Sequence, residues 1–248
     1  MDRILLGHGS GGRLMHDLIE KYLAPAFGMK GLDDSAVVRA ENPGQMAFTT
    51  DSYVVDPIFF PGGDIGNLAI NGTVNDLSMV GAAPLYITVG LIIEEGLEIE
   101  VLKKIICSIK NAAIEAGVKV VAGDTKVVNK GKADKIFINT SGIGSISEGL
   151  NISGANLQAG DKIIISGSIG NHGVAVISER EGFSFDTPVL SDTRPLNKLC
   201  AKMLSNTNKI HAMRDPTRGG LATTLKEFAK TSNVGILVRE EDLPISDG

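Results

Sequence analysis

Apolar positions fall at two spacings along the chain, and the change from one to the other separates helices from strands. Leu14, Leu18, Ile19 and Leu23 keep helical spacing over residues 13–27, and Pro25 and Gly28 close that run. Residues 35–40 and 46–53 read as strands of a hairpin turning at Asn42-Pro43-Gly44, which leaves Asp51 at the end of the second strand. Ile65, Leu68, Ala69, Val74, Leu77 and Val80 lie on a loose helical stripe over residues 64–80, so Asp76 is expected on a helix. Residues 85–93 read as a buried strand. Residues 98–116 form the clearest helix, with Leu102, Ile105, Ile106, Ile109, Ala112 and Ala113 on one face. Strands follow at 118–122 and 135–147. The order β-β-α-β-α-β-β predicts an α+β fold rather than a simple βαβ repeat.

A second unit begins near Asn151. A turn at 158–162 leads to a predicted strand at 163–166, a glycine-rich bend at 167–173 and a helix through Arg180. Further helices are expected at 194–205 and 221–231, and a strand at 234–239. The pattern divides the chain into domains at 1–150 and 151–248, the second ending on a loop-like segment and reading as incomplete. No repeat of 20–50 residues is evident.

Composition narrows the function. The 248 residues carry 24 Lys and Arg against 29 Asp and Glu, which argues against a nucleic-acid grip. Apolar runs such as Leu91-Ile92-Ile93 fall far short of the 18 or so residues of a membrane span, and the apolar run at residues 1–7 is too brief for a signal peptide. Cys107 and Cys200 form no CxxC pair, so a cytoplasmic protein with free thiols is the default. Cys107 lies opposite the apolar stripe of its helix and Cys200 is mid-helix; both read as structural. His8, His16, His172 and His211 lack the spacing of a zinc site.

Glycine is in excess, 30 residues of 248 against a usual ~7%, and it gathers at the ends of apolar runs. Between residues 31 and 83, Arg39 stands alone against Asp33, Asp34, Glu41, Asp51, Asp56, Asp64 and Asp76. Acid crowded this way is costly unless cations sit among it. The carboxylates beside turns and element ends, Asp33, Asp34, Asp51, Asp76 and Asp124, therefore form a candidate Mg²⁺ and polyphosphate site, with Asn75 beside it. Taken singly, each aspartate reads rather as a helix or turn cap; it is the set together that favours the metal. His8-Gly9-Ser10-Gly11-Gly12, ahead of the first helix, would let backbone N–H groups approach an anion, although it is neither a Walker A loop nor a dinucleotide fingerprint. Pro61-Gly62-Gly63-Asp64-Ile65-Gly66 and Asp215-Pro216-Thr217-Arg218-Gly219-Gly220 each open a predicted helix. The second offers a phosphate clamp in Thr217, Arg218, Gly219 and Gly220, or simply a cap and tight turn. Lys126, two residues after Asp124, points the same way on a strand and is a candidate base or phosphate partner.

These motifs, with Gly72-Thr73-Val74-Asn75-Asp76-Leu77 and Gly123-Asp124-Thr125-Lys126-Val127, closely resemble the HypE family of hydrogenase maturation factors, the carbamoyl dehydratases. That family lies in the ATP-binding superfamily of aminoimidazole ribonucleotide synthetase, selenophosphate synthetase and thiamin-monophosphate kinase. The aspartate motifs resemble the superfamily generally; the runs at 60–66, 72–77 and 123–128 are particular to HypE. The resemblance implies an N-terminal domain that forms a homodimer by pairing sheets into a barrel, and a C-terminal α+β domain. It implies ATP and Mg²⁺ held by Asp34, Asp51, Asp76 and Asp124, with Lys126 assisting deprotonation. It also implies a reaction: a carbamoyl group received on a C-terminal cysteine from the HypF carbamoyltransferase is dehydrated with ATP to a thiocyanate. The nitrile would pass through the HypC–HypD complex to the iron of [NiFe]-hydrogenase.

Family members end in a tail of the type Pro-Arg-Ile-Cys, whereas no cysteine follows Cys200 here. The chain therefore reads as a fragment, also without the family's second catalytic acid, and is expected not to complete the dehydration alone. Two alternatives stand beside this reading. One is a related ATP-dependent kinase or synthetase for a free small molecule; the other is a non-catalytic dimeric scaffold for the maturation partners.

Overall fold

The structure, a computed structural model, describes residues 3–5, 8, 13–28, 45–217 and 219–246. The first strand of the expected hairpin, 35–40, lies outside these residues. The first helix is less regular than its spacing predicts. α1 (Arg13–Leu18) passes through a π-helical turn, Ile19–Leu23, into α2 (Ala24–Phe27). Pro25 has no N–H to give the preceding turn, and a wider turn just before it accommodates that loss.

Four strands make one sheet: β1 (Gln45–Tyr53), β4 (Ala83–Glu94), β5 (Lys119–Val128) and β6 (Ile136–Ile146), in the order β1-β6-β4-β5. β6 is antiparallel to both neighbours, while β4 and β5 are parallel and joined by the crossover helix α4 (Ile99–Ala116). A short hairpin, β2 (Phe59–Phe60) and β3 (Gly63–Asp64), leads into α3 (Ile65–Met79). The Asp64 carboxylate accepts from the N–H groups of Gly66 (2.7 Å) and Asn67 (3.1 Å), and the Asn67 amide oxygen accepts from the Asp64 N–H. This reciprocal cap satisfies the start of α3 internally.

α3 and α4 cover one face of the sheet. Period-two alternation on β6 buries Ile136, Ile138, Thr140, Gly142 and Gly144 against them. Ile65, Ile70, Ile87, Ile93, Leu102, Ile105 and Ile109 fill the layer between and are almost wholly buried. Each contributes roughly 1.5–3 kcal/mol through burial. The helices can approach because Gly66 has no Cβ; one there would stand 2.7 Å from the Ile105 carbonyl oxygen.

The second half contains α5 (Asn171–Glu181), α6 (Asn197–Asn206), α7 (Gly220–Ser232) and a 3₁₀ turn at Glu240–Asp242. The strands expected at 163–166 and 234–239 are not formed. Their β-branched residues have the right character, but no described strand pairs with their backbones, and Ile164 and Leu237 are 83% and 87% exposed. This half is fastened to the first by particular bonds. Ser191 N–H donates to the Pro61 carbonyl (2.8 Å), Asn197 Nδ2 to the Ala116 carbonyl (2.7 Å), and Phe60 meets His172 edge to face. No helix among the described residues is long and apolar enough to cross a membrane.

Candidate functional site

The run 72–77 explains how a helix brings a carboxylate to a cleft. Gly72 lies where a Cβ would stand 2.3 Å from the Tyr53 hydroxyl, so glycine there lets α3 lie against β1. The Thr73 hydroxyl donates to the Ala69 carbonyl (2.9 Å) and stands 2.5 Å from the Thr140 hydroxyl of β6. Asn75 fastens the second half: its Nδ2 donates to the Arg194 carbonyl (3.1 Å) and its Oδ1 accepts from Leu196 N–H (2.8 Å). With both amide groups engaged, Asn75 acts here as a tie. Asp76, the next residue, turns instead into the cleft, where the Thr49 hydroxyl of β1 donates to its Oδ2 (2.9 Å).

That cleft, of about 540 Å³, lies between the C-terminal end of α3, β1, residues 152–154, residues 213–217 and α7. Its polar wall includes Thr49, Asp76, Arg214, Asp215, Thr217, Thr223 and Glu227; Met79, Ile152 and Phe228 form an apolar side. Burial pushes the Asp215 carboxyl up to about 6, and the charge of Asp76 adds to the rise. Burial likewise raises Asp76, opposed by the Thr49 hydroxyl and reinforced by Asp51, while Arg214 lowers both acids. Asp51, on the helix side of β1, thus shares a field with Asp76 and Asp215. Two flanking features favour anions. α7 starts at Gly219 (φ +79°) with no side-chain cap, so its first N–H groups are not satisfied by a side chain. Thr217 lies on the wall just before it.

Other expected site residues lie elsewhere. Asp124 pairs with Gly90 and faces the same way as Asn139 and Ser52, the open side of the sheet, whereas Asp51 and Thr140 face the helices. Lys126 follows Asp124 to that open side and bonds its Oδ1 at 3.2 Å, both side chains exposed. Within this chain Asp124 is therefore not brought to Asp51 and Asp76. His8 is buried, and its Nδ1 accepts from the Leu5 N–H at 3.0 Å, a local turn contact. Gly9, Gly11, Gly12, Asp33, Asp34 and Arg218 lie outside the described residues. Gly220 opens α7 with φ +59°. Cys107 is exposed and Cys200 buried, with its thiol pushed up by burial.

The motif at 61–66 serves as turn and cap, with its carboxylate already used by α3. Asp215 enters the sequence reading only as the first residue of the helix-opening run 215–220, and the pattern gives Arg214 and Glu227 no site role. The signal for Arg214 and Asp215 is a base and an acid placed just ahead of paired glycines at a helix start.

The oxygen-rich set fits Mg²⁺. Among the described residues no three His, Cys, Asp or Glu side chains come together closely enough to enclose a metal ion. Mg²⁺ commonly takes one or two carboxylates and completes its shell with phosphate and water. Asp76 and Asp215 are raised first by burial and further by neighbouring acids, an environment in which a bound divalent cation would favour their charged forms.

Residues 32–146 match the N-terminal domain, and residues 158–248 the C-terminal domain, of the AIR synthase related proteins. The same fold is shared with a thiamine-monophosphate kinase of Stenotrophomonas maltophilia (TM-score 0.69, 21% identity, covering 92% of this chain and 75% of that one). Much closer is the carbamoyl dehydratase HypE of Bradyrhizobium diazoefficiens, 49% identical over 98% of this chain and 71% of that protein. The Escherichia coli K12 carbamoyl dehydratase HypE is 42% identical over 99% and 75%. A crystal structure of hydrogenase maturation protein HypE in complex with ATP superposes with a TM-score of 0.93 at 48% identity, covering 98% of this chain and 73% of that one. A HypE–HypF complex superposes at 0.80 with 54% identity, covering 93% and 75%. The chain belongs to the carbamoyl dehydratase HypE family.

Proposed function

We propose that this chain binds ATP with Mg²⁺ in the cleft between α3 and α7 and serves the dehydration of a cysteine S-carboxamide to a thiocyanate, the source of cyanide ligands for hydrogenase iron. The observation that carries the reading is the meeting of Asp76, Asp215 and Arg214 at the uncapped start of α7, with Asp51 close enough to raise both acids. ATP supplies the phosphoryl group that turns the carboxamide oxygen into a leaving group. Asp76 and Asp215 would hold the metal, Thr49 fixes the Asp76 carboxylate by its hydrogen bond, and the first N–H groups of α7 with the Thr217 hydroxyl would donate to phosphate oxygens. The apolar side at Met79, Ile152 and Phe228 excludes water beside them.

Lys126 and Asp124 belong to this reading through a second copy of the chain. The open face presents Phe48 (73% exposed) beside Ile143 and Tyr86, with Ile92 further along, an apolar surface suited to pairing with an identical sheet. In such a homodimer Lys126 and Asp124 would lie at the subunit boundary. The HypF carbamoyltransferase as donor and the HypC–HypD complex as acceptor complete the proposal, in a cytoplasmic setting that suits two free thiols.

The test supplies this chain, continued through the family's C-terminal segment to its terminal cysteine, with ATP, Mg²⁺ and a carbamoyl donor. Mass spectrometry is expected to show ATP-dependent loss of one water from the carbamoylated cysteine, abolished by Asp76→Asn. A carbamoylated cysteine unchanged in mass while ATP binds normally would overturn the dehydratase assignment.

A further inference from the structure

Arg214 is the one fixed cation among the described residues that line the cleft, and it faces Asp76, Asp215 and Glu227. A polyphosphate entering this pocket meets a wall of net negative charge. Arg214 is also held: its Nη2 bonds Glu227 Oε2 at 2.5 Å, and its guanidinium lies 5.9 Å from the centre of the Phe228 ring. Both anchors come from α7, whose Thr223 and Thr224 line the same cleft. Glu227 takes one of the five guanidinium donors and leaves others for an anion. A planar fork of that kind matches phosphate oxygens.

We infer that Arg214 is the side chain that grips the phosphate chain of the nucleotide, and that Glu227 is a positioning residue that aims the guanidinium. This inference rests on the ATP reading above and assigns residues within it. It carries a consequence that a merely structural arginine lacks. In the free cleft Arg214 offsets the repulsion among the acids, so it competes with a divalent cation for the same carboxylates. Removing its charge strengthens the cleft's hold on a bare metal ion while weakening its hold on the nucleotide. The two affinities move in opposite directions.

Isothermal titration of the 248-residue chain with Mn²⁺ alone, and with ATP in the presence of Mg²⁺, reads both effects. Arg214→Met is expected to weaken ATP binding about 10- to 100-fold. The same change tightens Mn²⁺ about 3- to 10-fold. Arg214→Lys restores part of the ATP affinity, and Glu227→Gln weakens ATP by roughly 3- to 10-fold because the fork is intact but no longer aimed. ATP affinity within twofold of the parent in Arg214→Met overturns the assignment. So does parallel loss of Mn²⁺ and ATP with a lowered thermal midpoint, the mark of an arginine that only holds the fold. A parent chain that binds no ATP overturns the nucleotide reading itself, an outcome separate from either of these.

Discussion

The two halves of the molecule use similar sequence patterns to opposite effect. In the first, alternating β-branched runs find neighbours: β6 lies between β1 and β4, and its inward residues disappear beneath α3 and α4. In the second, runs of the same character at 163–166 and 234–239 remain without a ladder, and Ile164 and Leu237 stand in solvent. A hydrophobic pattern states what a segment is able to bury, and a partner decides whether it does. The first half is therefore a rigid platform, and the second half is attached to it through a few directed bonds at Ser191, Asn75 and Asn197.

The sharpest way to break that contrast is to remove matched side chains from each half. Ile105→Ala is expected to destabilise by about 2–5 kcal/mol, since Ile105 is wholly buried between α3 and the sheet. Ile164→Ala should change stability by no more than about 0.5 kcal/mol. Equal losses in chemical denaturation would show that 163–166 is packed after all. Hydrogen exchange sharpens the same point, with amides of β4 and β6 expected among the slowest and those of 163–166 and 234–239 among the fastest.

Next in size is the acid at the junction. The Asp215 carboxyl is raised from 3.8 to about 6, so folding favours its protonated form. The folded chain keeps this proton between roughly pH 4 and pH 6 while the unfolded chain releases it, and stability falls as pH rises through that window. Asp215→Asn should accordingly be more stable than the parent by about 1–2 kcal/mol at pH 7, with the difference vanishing below about pH 4. A constant difference across the range would place the effect outside titration. The smallest expected change is Asp64→Ala, which costs α3 its cap and about 1 kcal/mol, read as a lowered thermal midpoint.

Much of the platform was legible in the sequence because its helices and strands are long and periodic. The helix expected at 98–116 appears as Ile99–Ala116, and the strand expected at 135–147 as Ile136–Ile146. The π-helical turn before Pro25 was hidden, since apolar spacing alone does not resolve hydrogen bonds spanning four residues from bonds spanning five. The site was legible in part. Glycine and aspartate excess pointed to a metal-phosphate cleft, and Asp76 does line one. The face of the sheet on which an acid lies depends on strand register, and that separates Asp124 from Asp51. Gly66 and Gly72 turned out to be packing requirements between elements distant in sequence, which no local spacing reveals.

Asn75 and Asp76 are consecutive, about 100° apart around the axis of α3. One binds the second half of the chain and the other enters the cleft. A single residue inserted between the Asp64 cap and Gly72 would rotate both out of place and carry Gly72 away from Tyr53. The helix therefore has, in effect, a fixed reading frame. Among homologous chains, differences in length are expected to collect in exposed loops such as 129–135, while the stretch from the Asp64 cap to Asp76 keeps its count.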